Sequence, residues 1–202
     1  MIGEQKAVED ARGRIVGRKY RLLSELGRGA MGVVYLAEQL DVEGVPQRQV
    51  ALKTMRPEFA ANPDFVRRFL REVRVAMRLR SPHVVTVYDS GEDDAGWLYY
   101  AMELVRGQTL KEMLRHRRPL PVEQAVRIAT QICKGLADAH HLPEPVVHRD
   151  LKPGNIFIEQ HQGQEWAKIG DFGIAKVLGE QTADLTRPGE LHGTPLYMAP
   201  EQ

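Results

Sequence analysis

Hydrophobic and polar positions along the first half of the chain predict strands and a single helix. Short apolar stretches are bounded by glycine, proline and charged residues, as is typical of β-strands. These stretches lie at residues 20–26, 33–38, 50–53, 84–88 and 97–103. Apolar residues at helical spacing predict one helix over about residues 64–80. The polar residues 41–49 include Gly44 and Pro46 and are predicted to form a surface loop.

The second half is predicted to be mainly helical. Thr109 is a suitable N-cap for a helix that ends near His116, and a longer helix is predicted over residues 121–141. Cys133 falls within the apolar stripe of the longer helix, so we expect it to be packed and unreactive. The full stripe consists of Val122, Ala125, Ile128, Ala129, Ile132, Cys133, Leu136 and Ala139. A short hairpin is predicted from residues 156–158 and 167–169.

Composition and charge narrow the classes of function. The 202 residues are 43% hydrophobic, and 28 basic against 27 acidic residues give a net charge of +1. This balance provides no field that favours nucleic acid, so we expect no nucleic-acid partner. One cysteine cannot form an intrachain disulfide, and no stretch approaches the roughly 18 apolar residues of a membrane helix. We expect a cytoplasmic location, with a membrane anchor after residue 202 left open.

The most informative stretch is the polar loop at residues 148–155. Pro153 and Gly154 exclude a helix there. Such a loop can direct Asp150 at an incoming hydroxyl, Lys152 at a phosphate oxygen and Asn155 at a metal ion. These are the tasks of phosphoryl transfer, and the spacing resembles the catalytic loop of protein kinases.

A glycine-rich turn near the N-terminus is compatible with phosphate binding. Gly27, Gly29 and Gly32 form a Gly-x-Gly-x-x-Gly pattern, in which backbone N–H groups can approach phosphates without interference from Cβ atoms. The same pattern occurs in dinucleotide-binding folds, where a helix follows it. Here residues 33–36 form a strand, which favours the kinase glycine-rich loop over the dinucleotide fold. An ordinary glycine-rich hairpin is the alternative.

Lys53 lies in an apolar strand, where an ammonium group needs a carboxylate partner. Glu72 borders the apolar face of the predicted helix and can supply that partner. The alternative is that Glu72 is solvated and bonded to neighbouring arginines. Another face of this helix carries arginines that are predicted to form a solvent face rather than a docking patch, namely Arg67, Arg71, Arg74 and Arg78.

The resemblance to protein kinases extends from about Tyr20 to the end of the chain and implies a set of ligands. ATP is the expected nucleotide, with Mg²⁺ as its metal ion and Mn²⁺ as the alternative. Asn155 and Asp171, the latter within Gly-Asp-Phe-Gly, would hold the metal, and Phe172 would anchor Asp171 in the core. Met102 would guard the adenine pocket, although a plain core role fits the sequence equally. The residues expected to bind ATP are Leu26, Gly27, Arg28, Gly29, Ala30, Met31, Gly32, Val33, Val34, Ala51, Lys53, Met102, Glu103, Val105 and Phe157.

Residues 174–202 resemble an activation segment. The resemblance implies phosphorylation at Thr182 or Thr186, through contact between kinase molecules, with Arg149 as the partner of the phosphate. Thr194 would bond to Asp150 and Lys152. The segment closes with Ala-Pro-Glu at residues 199–201. Lys152 and these closing residues are similar to the Ser/Thr-specific branch, and the overall pattern resembles bacterial eukaryotic-like Ser/Thr kinases.

We therefore expect an α+β, two-lobed kinase-like fold with a complete N-lobe and an incomplete, mainly helical C-lobe. Residues 1–19 are assigned to an N-terminal extension, either flexible or a short capping strand. Residues 20–105 form the N-lobe and hinge, and residues 106–202 form part of the C-lobe, so we expect a fragment of a longer kinase. Its catalytic residues would be Asp150, Lys152, Asn155, Lys53 and Glu72, acting on Ser or Thr hydroxyls of protein substrates. A pseudokinase or scaffold that binds nucleotide without turnover is the alternative.

Overall fold

The computed structural model describes residues 11–29, 32–116, 119–172 and 197. The chain divides into two compact units. The first comprises residues 1–71 and 87–104, and the second comprises residues 72–86 and 105–202. No helix in the described ranges has both the length and the apolar character needed to cross a bilayer.

The first unit is built on a six-stranded antiparallel sheet with the strand order β1-β2-β3-β4-β6-β5. The strands are β1 (Ile15–Val16), β2 (Tyr20–Gly29), β3 (Gly32–Leu40), β4 (Pro46–Met55), β5 (Val87–Glu92) and β6 (Leu98–Met102). One face is buried over a core that includes Leu22, Tyr35, Leu52 and Ala101. The ring of Tyr20 lies edge-on to that of Tyr99 within this core, with centroids 5.7 Å apart.

Strand β4 is longer than predicted. It begins at Pro46, so the predicted loop over residues 41–49 is confined to residues 41–45. Arg48 and Gln49 pair with Gln39 and Glu38 of β3 although all four side chains are polar. The reason is that backbone hydrogen bonds continue the strand pairing beyond the part of the sheet that covers a core. Side chains in this extension do not alternate between apolar and polar, so the sequence pattern does not predict a strand there.

The N-terminal residues 11–19 take the form of a short capping strand on the sheet. Ile15 and Val16 pair with β2, and Val16 is fully buried. The guanidinium group of Arg14 lies 3.8 Å from the centroid of the Trp97 ring and 3.3 Å from the carboxylate of Asp93. Packing and ion pairing together hold this segment in place.

Two helices follow β4, namely α1 (Pro57–Ala60) and α2 (Pro63–Ala76). The Asn62 side chain accepts hydrogen bonds from the backbone N–H groups of Asp64 and Phe65 at 3.0 and 3.2 Å, which fixes the start of α2. The helix ends four residues before the predicted limit. The backbone N–H groups of Arg78 and Leu79 bond to carbonyls three residues earlier, as in a 3₁₀ turn, instead of four residues earlier. Three of the predicted outer arginines, Arg67, Arg71 and Arg74, lie on the helix and are exposed, and the fourth, Arg78, is exposed just after the helix ends.

The second unit contains a three-stranded antiparallel sheet and two helices. Its elements are β7 (Gly107–Thr109), α3 (Leu110–His116), α4 (Val122–His140), a 3₁₀ turn (Pro153–Asn155), β8 (Ile156–His161) and β9 (Gln164–Ile169). Thr109 and Glu112 form a reciprocal capping box, which confirms the predicted start of α3. The core beneath the sheet includes Met113, Ile128, Ile158 and Phe172.

The predicted apolar stripe of α4 is wrong in part, and Cys133 is exposed. The buried face is formed by Gln124, Ile128, Gly135 and Ala139. Gln124 donates to a carboxylate oxygen of Glu165 at 2.6 Å, so an amide side chain occupies a position that hydrophobicity alone would not select. Gln131 also bonds to β9, through the Glu165 carbonyl and the Ala167 N–H, so this side of the helix packs on the sheet while Cys133 lies in solvent.

Candidate active site

Asp150 is the centre of a dense hydrogen-bond network in the loop after α4. The Lys152 Nζ atom lies 3.0 and 2.7 Å from the two carboxylate oxygens of Asp150. The Asn155 side-chain amide donates to the Asp150 carbonyl at 2.8 Å and to its carboxylate at 3.1 Å. All three side chains are half-buried. The structure therefore brings together the predicted catalytic residues of this loop.

The backbone of the loop explains how these side chains converge. Lys152 is extended, and Pro153 begins a 3₁₀ turn that is closed by a hydrogen bond from the Asn155 N–H to the Lys152 carbonyl at 2.9 Å. The turn brings the side chains of Lys152 and Asn155 next to Asp150. Arg149 adopts a left-handed conformation with φ of 63°, which is uncommon for a residue other than glycine. Strain of this kind is found where the surroundings fix the backbone, commonly at functional sites.

His148 holds the loop through hydrogen bonds at both of its ring nitrogens. It is 2% exposed, and its Nδ1 atom accepts a hydrogen bond from the Asp150 backbone N–H at 3.2 Å. Nε2 must then carry the proton, which it donates to the Gly170 carbonyl at 2.9 Å. Burial lowers the pKa of His148, while the Gly170 carbonyl and the nearby carboxylates of Asp171 and Asp150 partly offset this effect. The neutral imidazole thus links the loop to the strand end at Gly170.

The turn after β9 is attached to the same loop. The Gly170 N–H donates to the Asn155 carbonyl at 2.8 Å. A Cβ atom on Gly170 would lie 2.6 Å from a ring carbon of Phe157, so only glycine allows this approach. Asp171 follows with φ of 54°, and Phe172 is 3% exposed. Phe172 is thus an anchor, as predicted, and Asp171 is held one residue from the Gly170–Asn155 bond.

The donor set of Asn155 and Asp171 suits a hard divalent cation. Mg²⁺ binds oxygen ligands and is usually held by one or two protein groups, with water and phosphate completing its shell. Among the described residues, no group of three or more His, Cys, Asp and Glu side chains forms a metal site. The two oxygen donors of Asn155 and Asp171 fit the small number of protein ligands that Mg²⁺ takes.

In the first unit, the glycine-rich turn joins β2 to β3 and its glycines differ in their surroundings. Gly29 pairs with Gly32 across the hairpin. A Cβ atom on Gly32 would lie 1.9 Å from the Thr54 carbonyl oxygen of β4, whereas Cβ atoms on Gly27 and Gly29 would meet no atom of the described residues within 4 Å. Gly32 is therefore needed for packing, and no described residue fills the space beside Gly27 and Gly29.

Several predicted nucleotide residues share one face of the first sheet. Val34 pairs with Lys53, Ala51 pairs with Met102, and directly paired residues point to the same side. Lys53 is half-buried, with its Nζ 5.7 Å from the centroid of the Tyr100 ring. The opposite side of β4 carries Val50 and Leu52 of the core. The sheet thus places Val34, Ala51, Lys53 and Met102 together.

The remaining predicted residues are placed as follows. Glu72 is half-buried on α2, one turn after Phe69, and its pairing with Lys53 stays a prediction. Leu26 and Arg28 are exposed at the end of β2, Val33 is half-buried on β3, and Phe157 lies against Gly170. Glu103 and Val105 are half-buried in a segment without regular secondary structure. Outside the described residues lie Ala30, Met31, Gly173, Thr182, Thr186, Thr194 and the Ala-Pro-Glu of residues 199–201.

Sequence reasoning missed the structural roles of His148 and Gly170. The chain offered one signal for His148, namely its position directly after the apolar pair at residues 146–147. Gly170 offered none, because its function depends on the approach of Phe157 from a different strand.

Comparisons with known proteins identify the family of the chain. A family model described as "Protein kinase domain" matches residues 20–202. The chain is 41% identical over 194 residues to the serine/threonine-protein kinase pkn3 of Myxococcus xanthus, covering 94% of this chain and 34% of that protein. It is 40% identical over 190 residues to the serine/threonine-protein kinase PrkC of Bacillus subtilis, covering 94% and 28% respectively. The chain thus spans about a third of the length of these curated relatives.

Solved structures give the same result. The kinase domain of Mycobacterium tuberculosis PknI matches with a TM-score of 0.67 at 37% identity, covering 81% of this chain and 63% of that one. A double mutant of the same domain, C20A_R136N, matches with a TM-score of 0.69. The chain therefore belongs to the protein kinase family, with the α+β fold of its bacterial eukaryotic-like members.

Proposed function

We propose that this protein is a serine/threonine protein kinase that transfers the γ-phosphoryl group of ATP to Ser or Thr hydroxyls of other proteins. The observation that carries the proposal is the Asp150 carboxylate, which is held by Lys152 and Asn155 in a loop bonded to the turn that bears Asp171. The names of the curated relatives support the Ser/Thr specificity.

In this proposal Asp150 orients the acceptor hydroxyl and accepts its proton. Lys152, 2.7 Å from the carboxylate, neutralises the negative charge that develops on the transferred phosphoryl group. Asn155 holds Asp150 in position through its amide and leaves its carbonyl oxygen for Mg²⁺. Phosphoryl transfer requires mainly positioning and charge stabilisation, and this set of groups supplies both.

The nucleotide and its metal ion are assigned to the following residues. A Cβ on Gly27 or Gly29 would meet no atom of the described residues within 4 Å, which lets phosphate oxygens approach the backbone. Lys53 binds the α- and β-phosphates, with Glu72 as its carboxylate partner. Asp171 and Asn155 bind Mg²⁺, which supplies charge neutralisation to the triphosphate when bound. The backbone of residues 103–105 meets the adenine edge.

Domain organisation and regulation complete the proposal. Residues 20–202 belong to the kinase domain, and the segment before residue 20 is an extension of it. Phosphorylation of Thr182 or Thr186 by another copy of the kinase would activate the enzyme, with Arg149 as a phosphate-binding cation. Arg149 supports this assignment because it is exposed beside Asp150.

The test is a phosphoryl-transfer assay with Mg-ATP and a general protein acceptor. It compares the present 202 residues with a chain extended to the length of its relatives. We expect transfer by the extended chain, with phosphate found on Ser and Thr. Tight ATP binding without transfer by the extended chain would overturn the proposal in favour of a nucleotide-binding scaffold.

A further inference from the structure

Helix α3 places Lys111 beside the catalytic loop. A Cβ atom on Gly154 would lie 3.9 Å from Lys111 Cδ, so the stem of Lys111 passes next to the 3₁₀ turn that carries Asn155. Arg115 lies one turn further along α3, at the i+4 position, and both side chains are exposed. Lys111 therefore lies beside the turn whose Asn155 side chain bonds to Asp150.

Lys111 is poorly placed for the stability of its own helix. It lies in the first turn of α3, where the helix dipole disfavours a cation, and Arg115 repeats the same charge at i+4. Within the described residues, no carboxylate forms an ion pair with Lys111. A residue that breaks local electrostatic rules without a structural gain is a candidate for a functional role.

The acidic residues around the turn are committed to other contacts. Glu112 accepts hydrogen bonds from the Thr109 backbone N–H and hydroxyl at 2.8 and 2.9 Å, and these bonds lower the pKa of Glu112. Glu159 is 12% exposed and accepts from the Arg106 backbone N–H at 2.7 Å. The exposed charges of α3 and of the segment entering β7 are consequently dominated by cations, namely Arg106, Lys111 and Arg115.

We propose that Lys111, assisted by Arg115, selects protein substrates that carry an Asp or Glu close to the acceptor Ser or Thr. This inference rests on the proposed kinase function and adds the class of substrate sequence to it. An acidic side chain of the substrate would pair with the ammonium group of Lys111 at the edge of the catalytic loop. The pair would be exposed, so its effect is modest and sensitive to salt.

The test uses a peptide series in which one acidic residue is moved through each position flanking a Thr acceptor, with Gln and Lys peptides for comparison. Both kcat/KM and the peptide Kd are measured for the whole protein and for its Lys111→Glu variant. We expect at least one acidic peptide to exceed its Gln counterpart by about two- to fivefold in kcat/KM. Lys111→Glu should reverse this order in favour of the Lys peptide.

The Lys111→Glu change also controls for folding, because a carboxylate in the first turn of a helix is stabilising. Lys134→Glu, which reverses an exposed cation on α4, is the matched control and should keep the acidic preference. Transfer at equal rates to acidic, Gln and Lys peptides would overturn the inference and leave the kinase function standing. Absence of transfer, with a Kd preference for acidic peptides that Lys111→Glu reverses, would overturn the kinase function and support the recognition site.

Discussion

The imidazole of His148 and the ring of Phe172 lie edge to face, with their centroids 4.9 Å apart. His148 belongs to the loop that carries Asp150, and Phe172 follows Asp171. The contact, together with the hydrogen bond from His148 to the Gly170 carbonyl, joins the two segments that present the candidate catalytic and metal-binding carboxylates. A change in either ring should therefore disturb both segments.

Acid should destabilise the fold through His148. Burial holds the pKa of this imidazole below its ordinary value of 6.5, so below that pH the unfolded chain binds a proton that the folded chain does not. The free energy of unfolding should thus be unaffected by this group above about pH 6.5 and fall as the pH drops toward the folded-state pKa. Protonation would also convert Nδ1 into a donor and break the bond from the Asp150 N–H.

The measurement is denaturant unfolding between about pH 5 and pH 8. His148→Phe should lower the free energy of unfolding at neutral pH but reduce its fall at acid pH, because the titrating group is gone. His140→Gln, at an exposed position of α4, is the control and should keep the same fall at acid pH. An unchanged acid slope in His148→Phe would contradict the assignment.

Asp150→Asn should abolish most of the turnover while leaving ATP affinity nearly unchanged. The amide cannot accept the hydroxyl proton, and loss of a general base costs about 10²- to 10⁴-fold in rate. Asn is nearly isosteric and can still contact Lys152 and Asn155, so the loop should stay folded. Single-turnover kinetics and ATP titration measure the two quantities separately. Asp138→Asn, an exposed carboxylate on α4, is the control, and equal loss of transfer and ATP binding in Asp150→Asn would refute the role.

Asn155→Ala should raise the Mg²⁺ concentration needed for half-maximal rate by about tenfold or more, because a ligand and its supporting bonds are removed together. The rate is measured against free Mg²⁺ at saturating ATP. Asn62→Ala is a useful comparison because it removes the N-cap of α2. It should cost about 1 kcal/mol of stability with no change in the Mg²⁺ dependence. If both variants shift the Mg²⁺ curve equally, Asn155 acts through stability alone.

The sequence predicted the parts of this molecule that depend on local chemistry. The polar loop at Asp150, the cap at Thr109 and the buried Phe172 each follow from residue types at short spacing, and the structure places them as expected. Exposure of Cys133 was not predictable in this way. Whether a helix face is buried depends on partners distant in the sequence, such as the Glu165 carboxylate that holds Gln124 inward.

The glycine-rich turn shows the same limit for individual residues. The pattern treats its three glycines alike, but the structure separates Gly32, which faces the Thr54 carbonyl, from Gly27 and Gly29, which have no close neighbour in the described part of the chain. That difference depends on the register of β3 against β4, in which Gly32 pairs with Met55. Register between strands is not encoded in the spacing of glycines.

The three glycines should consequently respond differently to alanine. Gly32→Ala should destabilise the first unit by about 1–3 kcal/mol, because its Cβ would overlap a backbone carbonyl that cannot move without disturbing β4. Gly27→Ala and Gly29→Ala should keep or slightly raise thermal stability, since alanine has less backbone freedom to lose on folding. These two variants should instead weaken ATP binding, on the order of tenfold, by placing a methyl group where phosphate oxygens approach. Thermal unfolding without ligand and ATP titration distinguish the two effects. Weak ATP binding in Gly32→Ala alone, with Gly27→Ala and Gly29→Ala unaffected, would show that the turn is a structural hairpin and does not contact phosphate.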